Sequence, residues 1–331
     1  MLGWTAGIII LLVKLALVLA GLLLVAGWLV LAERKLLGRF QIRYGPNRAG
    51  PFGLLQPMAD IIKLLTKEDL MPDGADRLLF LYAPAVVAST ALLIFAVVPF
   101  GRDWTLQGRT IPMVVADLNV GLLFVLALSS LGVYGVALGG WASNSKYSLL
   151  GGIRGAAQMI SYELSLGLSL VPVVMLAGSF SLVDITRAQT PMPFIVLQPV
   201  SFFIFFVSAL AEIKRIPFDL PEAENELVAG YHTEYSGMRF GLFFLGEYVT
   251  MVVLGALVAV FFLGGWHGPL LPPLIWFLFK VLLVVFVLIW TRATLPRLRY
   301  DQLMNVGWKF LVPLALVNIV ITGAVVLFVG A

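Results

Sequence analysis

Residues 240–264 read FGLFFLGEYVTMVVLGALVAVFFLG, a run broken by one ionisable residue, Glu247. A helix needs about 20 apolar residues to cross hydrocarbon, and this run supplies them. Similar runs recur at about 8-32, 78-99, 114-142, 157-178, 194-213, 274-291 and 307-329. The expected fold is an all-α polytopic membrane protein. It has eight transmembrane helices in one membrane domain over residues 1-331, with amphipathic surface helices on the cytoplasmic side and backbone hydrogen bonds closed inside each helix. The first run lacks a basic leader and a small-residue cleavage site, so it reads as a retained crossing.

Composition agrees. Of 331 residues, 60% are hydrophobic and 12% charged, against roughly 25% charged in a soluble domain. Sidedness follows from the basic residues. Arg34, Lys35, Arg39, Arg43, Arg48, Lys63, Lys67, Arg77, Lys146, Arg154, Lys214, Arg215, Arg239, Arg292, Arg297 and Arg299 fall in one set of loops, and only Arg102, Arg109 and Arg187 in the other. The positive-inside rule places the first set in the cytoplasm, so both termini face outward. The net charge of +4 thus reports topology and contact with anionic lipid, and gives no case for nucleic acid.

Cysteine is absent, which excludes disulfides, cysteine-ligated iron–sulfur clusters and zinc–thiolate sites. The only histidines, His232 and His267, lie in different polar segments, which argues against a bis-histidine haem. Electron chemistry must therefore come from a partner or a diffusible substrate.

The large cytoplasmic loops, 33-77 and 214-239, carry the unusual chemistry. In the first, Arg43-Tyr44-Gly45-Pro46-Asn47-Arg48 forces turns. Gln56, Asp60, Lys63 and Lys67 then alternate at helical spacing with Leu55, Met58, Ile61, Ile62 and Leu65. Such a helix lies in the membrane surface, either as a brace or as one wall of a passage for a lipid-like substrate. Glu163 and Glu247 fall about two turns into their apolar runs, and Glu212 ends another. An ionised carboxylate at that depth costs several kcal/mol unless paired, hydrated or protonated. Three of them favour proton transfer over packing alone.

The second loop adds Pro217-Phe218-Asp219-Leu220-Pro221-Glu222-Ala223-Glu224-Asn225-Glu226 and then Tyr231-His232-Thr233-Glu234-Tyr235. Asp219 and Glu222 have capping-box spacing for a short helix, on which Glu222 and Glu226 would share a face and Glu224 would point away. Clustered carboxylates titrate as a set. Arg215 and Arg239 flank them, and the whole reads as an acidic funnel leading to Glu212 and Glu247.

These strings resemble the family of quinone-chamber membrane subunits of bacterial respiratory complex I, the proton-translocating NADH:quinone oxidoreductase, over essentially the whole chain. The resemblance rests on residues 43-48 running into 56-69, on 217-226, and on Glu234-Tyr235-Ser236-Gly237 through Glu247-Tyr248. It implies a subunit without redox centres, not catalytic alone, at the junction of membrane and peripheral arms. Quinone is the implied substrate, and FMN and iron–sulfur clusters are expected in partner subunits, alongside adjacent membrane subunits and lipid. By matching position, Arg34, Arg43, Arg48 and Asp60 belong to the quinone entrance and chamber. Glu163, Glu212, Asp219, Glu222, Glu224, Glu234 and Glu247 belong to the acidic proton path, with Arg215 and Arg239 as supporting charges. A homologous membrane subunit of a proton-pumping hydrogenase or deazaflavin-dependent dehydrogenase is the runner-up, though the 43-69 segment favours the quinone enzyme. A free-standing cation or proton transporter is a remote alternative, since no inverted repeat is evident and the inner loops suit docking.

Overall fold

The computed structural model describes residues 2–106, 109–190 and 192–329. Its long helices are α1 (Leu2–Phe40), α3 (Arg77–Ile94), α4 (Gly121–Ala142), α5 (Lys146–Ala177), α10 (Gly237–Phe262) and α11 (Pro273–Thr294). To these is added the stack of α12 (Tyr300–Asn305), a π-helical turn and α13 (Val312–Val329). Shorter elements are α2 (Gln56–Thr66), the hairpin strands β1 (Trp104–Leu106) and β2 (Arg109–Ile111), α6 (Leu182–Ala188), α7 (Phe194–Leu197), α8 (Pro199–Glu212) and α9 (Glu224–Leu227). Among the described residues, seven helices are long and apolar enough to cross a membrane.

The helix expected over 194-213 is instead divided between α7 and α8. Pro199 lacks an N–H and disfavours helical geometry at the residue before it, and Gln198 accordingly takes φ −131°, ψ 57°. The break is closed by side chains. Gln198 donates to Thr322 at 3.0 Å, while Asn318 donates to Gln198 at 3.1 Å and to Ser201 at 2.8 Å. With 14 residues at about 1.5 Å each, α8 is roughly 21 Å long.

The apolar run 114-142 becomes helical only at Gly121. Its first residues form a connection in which Val114 is buried, and Lys14 holds this segment by donating to the carbonyls of Pro112 and Val114 at 2.9 and 2.8 Å. Hydropathy alone does not separate such a partly buried connection from helix. At its other boundary, α3 opens where Asp76 accepts from the amides of Leu78 and Leu79 at 3.1 and 3.2 Å, an ordinary N-cap.

The bundle is organised around α10. In this helix 78% of the apolar window is buried within the chain, against 6% for α1, so α10 is central and α1 peripheral. The helix α2 forms over the residues expected. Asp60 turns inward to Arg34, while Met58, Ile61, Ile62 and Leu65 remain exposed, leaving the apolar face of α2 free to lie in lipid.

Helix α5 starts 11 residues before the apolar run at 157 because its first turns bury glycine instead of large apolar side chains. A Cβ on Gly151 would lie 2.6 Å from the Tyr231 amide nitrogen, and one on Gly155 3.2 Å from Pro221. The polar loop after α8 therefore packs directly on the α5 backbone. Gly151→Ala is expected to push this loop away at a cost of about 1–3 kcal/mol. Gly167→Ala, on the same helix with its nearest neighbour 4.0 Å away, should be close to neutral. Thermal midpoints of the two assembled variants in detergent check this, and equal midpoints would contradict the packing.

Candidate functional site

The deepest polar feature is a cluster assembled from four parts of the chain. Glu33 of α1 is 1% exposed. It accepts hydrogen bonds from Arg215, from Arg292 of α11 and, at 2.6 Å, from the Tyr248 hydroxyl of α10. Arg215 also donates through Nε to Glu247, and its guanidinium lies 4.5 Å from the centroid of the Tyr248 ring. Two arginines thus face two carboxylates, with Arg215 and Glu33 buried and Arg292 partly exposed. Burial disfavours the charged form of Arg215, but Glu247 and Glu33 outweigh it and hold this guanidinium firmly protonated.

The loop after α8 wraps over this cluster. Lys214 is buried, its proton affinity lowered by burial against the pull of Glu222, Glu247 and Glu212. Its Nζ donates to the Tyr231 hydroxyl at 3.4 Å. Asp219 pairs with Arg297 at 2.7 Å, but burial outweighs that pairing and raises its proton affinity. The Glu222 carboxyl is pushed up to about 8, first by burial and then by Glu247 and Asp219, so at pH 7 it keeps its proton. His232 lies 4.0 Å from Glu222 and is pushed down to about 4, mainly by burial. At neutral pH this contact therefore joins a neutral acid to a neutral imidazole and is no salt bridge.

The capping box expected at Asp219 and Glu222 is not formed. Asp219 spends its carboxylate on Arg297, Glu222 lies in a turn, and α9 spans only Glu224–Leu227. Glu222 and Glu226 therefore share no helix face, and Glu226 pairs with Arg154 at 2.6 Å. The side chain of Glu224 lies outside the described residues. Arg239 pairs with Asp69 at 2.9 Å, away from the acidic cluster. Glu234 is half-buried and forms no ion pair among the described residues.

Farther along the bundle, adjacent serines of α4 serve two carboxyls. Ser129 donates to Glu212 at 2.9 Å and Ser130 to Glu163. At the opposite edge Arg34 and Asp60 meet at 2.9 Å, and Gln56 donates to Asp60 at 3.0 Å. Arg43 and Arg48 stand exposed on the turn before α2.

Two cavities connect these groups. One, with about 840 Å³ of empty space, is lined by Arg34, Glu33, Arg215, Glu222, His232 and Glu247, among others. The second is narrow and mostly apolar but carries Ser129, Glu212, Lys214 and Glu247. Glu247 is the residue common to both linings. Among the described residues no group of three or more His, Asp or Glu side chains could hold a metal ion.

Glu33, Lys214, Arg292 and Arg297 are members of the cluster that sequence reasoning misses. Glu33 reads as the first residue of a loop because Arg34 and Lys35 follow it. The apolar pair Leu36-Leu37, one turn on, is the signal that the helix continues.

Fold and site define a multi-pass helical membrane protein with an ionisable cluster built into the bundle at one end. The profile of the family described as NADH dehydrogenase matches residues 13–323. The chain is 74% identical over 330 residues to the second H subunit of NADH-quinone oxidoreductase from Syntrophobacter fumaroxidans, covering 100% of both chains. It is 67% identical over 316 residues to the second H subunit of the same enzyme from Geobacter sulfurreducens, covering 96% of each. It is 62% identical over 323 residues to the H subunit from Syntrophotalea carbinolica, covering 98% of each. The chain belongs to the NADH dehydrogenase family, as an H subunit of NADH-quinone oxidoreductase, and so to a multi-subunit complex.

Glu33→Gln keeps the shape of the cluster but leaves Arg215 and Arg292 facing one carboxylate. Breaking a buried pair in this way costs about 3–5 kcal/mol, so subunit content and thermal midpoint of the complex should fall. Adding Arg292→Gln restores the charge balance and should recover part of the loss. A double-mutant cycle on thermal midpoint measures it, and strictly additive effects would deny the coupling.

Proposed function

We propose that this subunit forms the entrance and walls of the quinone chamber and the first part of an acidic proton path, at the junction with the iron–sulfur peripheral arm. The observation carrying this reading is the open cavity whose lining runs from Arg34 to Glu222 and Glu247. It brings the edge beside α2 into continuity with the buried carboxyls.

The eighth crossing is α7 and α8 together, which retains an even number of crossings. The loops carrying Arg34, Arg215 and Arg292 face the cytoplasm of the bacterial inner membrane, and both termini face the periplasm. A long isoprenoid quinone partitions into lipid, and the exposed apolar face of α2 lies where such a molecule would slide in. The partially exposed Arg34–Asp60 pair, with side chains 43% and 22% exposed, offers polar groups at the rim.

Quinone reduction consumes two electrons and two protons. The electrons are supplied by iron–sulfur clusters of the partner subunits, upstream of which FMN accepts hydride from NADH. This chain binds neither group. Its own residues orient the headgroup and hold protons. Glu222, protonated at neutral pH, is a proton source beside the cavity. Glu247, tied to Arg215, stands between it and the second cavity, where Glu212 and Glu163 follow. Charge developing in the chamber shifts the proton affinity of Glu222 and Asp219 and biases proton movement along this series.

Two variants test the two halves. Asp60→Lys should cut quinone-linked NADH oxidation at least about tenfold, the effect of losing one charge-assisted hydrogen bond. Oxidation by water-soluble acceptors, which take electrons upstream, should remain. Equal loss in both assays would mean failed assembly, and full retention would remove Asp60 from the entrance.

Glu247→Gln keeps a hydrogen-bonding amide but cannot ionise. It should assemble with normal subunit content yet lose most quinone reductase activity and the coupled proton gradient, while Glu247→Asp retains more. Activity per assembled complex in sealed vesicles decides this. A Gln variant equal to wild type would make Glu247 structural.

A further inference from the structure

At the opposite end of α10 from the acidic cluster lies a second polar cleft, with about 1340 Å³ of open space. Arg102, Asp103, Thr105, Arg187, Trp266 and His267 are among its lining residues. Arg102 and Arg187 are two of only three basic residues in the loops read as outward-facing, so the rare positive charges of that side converge here. Arg187 is steadied by Asp103 at 3.2 Å and Asp184 at 3.9 Å. Arg102 forms no ion pair among the described residues and is exposed. The Nε2 atom of His267 is buried and has no hydrogen-bond partner among the described residues. Burial, with Lys280 and Arg102, lowers the proton affinity of this ring, so at pH 7 it is a neutral polar group.

The cleft is shaped without a ligand. Lys280 of α11 donates to the carbonyls of Leu263, Gly265 and His267 at 2.6, 2.9 and 2.6 Å. Trp276 donates to the carbonyl of Pro269 at 2.5 Å. The turn after α10 is thereby fixed to the start of α11. Both helices terminate here, which puts the cleft at the boundary between hydrocarbon and water. Trp104, Leu270 and Leu271, from the hairpin and this turn, are exposed at 67%, 103% and 46%. An indole at this level is the usual interfacial anchor.

We propose that this cleft binds the phosphate headgroup of an anionic phospholipid of the outer leaflet, held by Arg102 and Arg187, with His267 Nε2 accepting from a headgroup hydroxyl and acyl chains against Trp104, Leu270 and Leu271. The fork of Arg102, which forms no ion pair among the described residues, suits two phosphate oxygens, with Arg187 held beside it by Asp103 and Asp184, and basic pockets between helix ends recognise lipid headgroups elsewhere. The apolar surround selects a lipid over a free anion. The leaflet assignment rests on the topology proposed above.

The test uses the assembled complex in phosphatidylcholine vesicles containing phosphatidylglycerol with a photoactivatable headgroup, introduced into one leaflet at a time. Outer-leaflet probe should label peptides spanning 100–106 and 264–272. Arg102→Gln, which disturbs no ion pair among the described residues, should lower that labelling about tenfold, and Arg102→Gln with Arg187→Gln should lower it further, about a hundredfold. An identically tagged phosphatidylcholine should label weakly. Unchanged labelling in assembled variants overturns the site, as does labelling abolished by inorganic phosphate, or transfer of the label to a neighbouring subunit covering the cleft. Labelling from the inner leaflet alone overturns the sidedness instead, while the headgroup contact itself survives.

Discussion

The bridge made by Arg215 between Glu33 and Glu247 is the constraint on which the rest of this end of the bundle depends. Its three members come from α1, the loop after α8 and α10, and Arg292 brings in α11. Charges so far from water are costly, and an apolar replacement of the whole set would often be no less stable. The cost falls on any arrangement that separates them, since a lone buried charge is worse than either paired state. The cluster therefore selects one register of α1 against α10. That register brings Arg34, the next residue on α1, to the same cavity.

The loop after α8 depends on this bridge in turn. It has almost no regular structure, yet Lys214, Arg215, Leu220 and Tyr231 are buried. Such a loop is tolerable in the bundle only where its polar groups are met. Gln158 of α5 donates to the carbonyls of Ala211 and Phe218 at 2.8 and 2.7 Å, and the glycines of α5 let the chain approach. Glu222 and His232 are consequently both uncharged at neutral pH in a region dense with ionisable groups. On the proposed function, a new negative charge nearby favours a proton on the neutral His232 and holds the proton of Glu222 more firmly.

Much of this is legible in the sequence, because hydrocarbon imposes length and hydropathy on everything that crosses it. The crossings built on 240-264 and 274-291 and the amphipathic helix at Gln56 emerge nearly as read. Where reading falters, tertiary packing has replaced solvent as the environment. Residues 114-120 form a connection held at Val114, which is buried, while Asp117, Asn119 and Val120 are exposed. The start of α5 looks like loop because its glycines bury backbone instead of side chain. The candidate carboxylates can be singled out one by one, since each violates the apolar background. Their pairing cannot, because Glu33 and Arg215 are 182 positions apart and only the fold brings them together. The expected helix at Asp219 fails for the same reason: its capping carboxylate is claimed by Arg297.

The depth of Glu163 has an electrical consequence. This residue lies 17 positions past the start of α5 and about two turns into its apolar stretch, roughly a third of the way across a hydrocarbon layer of about 30 Å. A full elementary charge carried across a membrane exchanges about 2.3 kcal/mol per 100 mV with the transmembrane field. A proton brought from the cytoplasmic surface to Glu163 would cross only a fraction of that drop, worth about 0.8 kcal/mol per 100 mV. On the proposed topology, proton exchange between this carboxyl and the cytoplasmic surface works across part of the membrane field, with no change needed in any contact around Ser130.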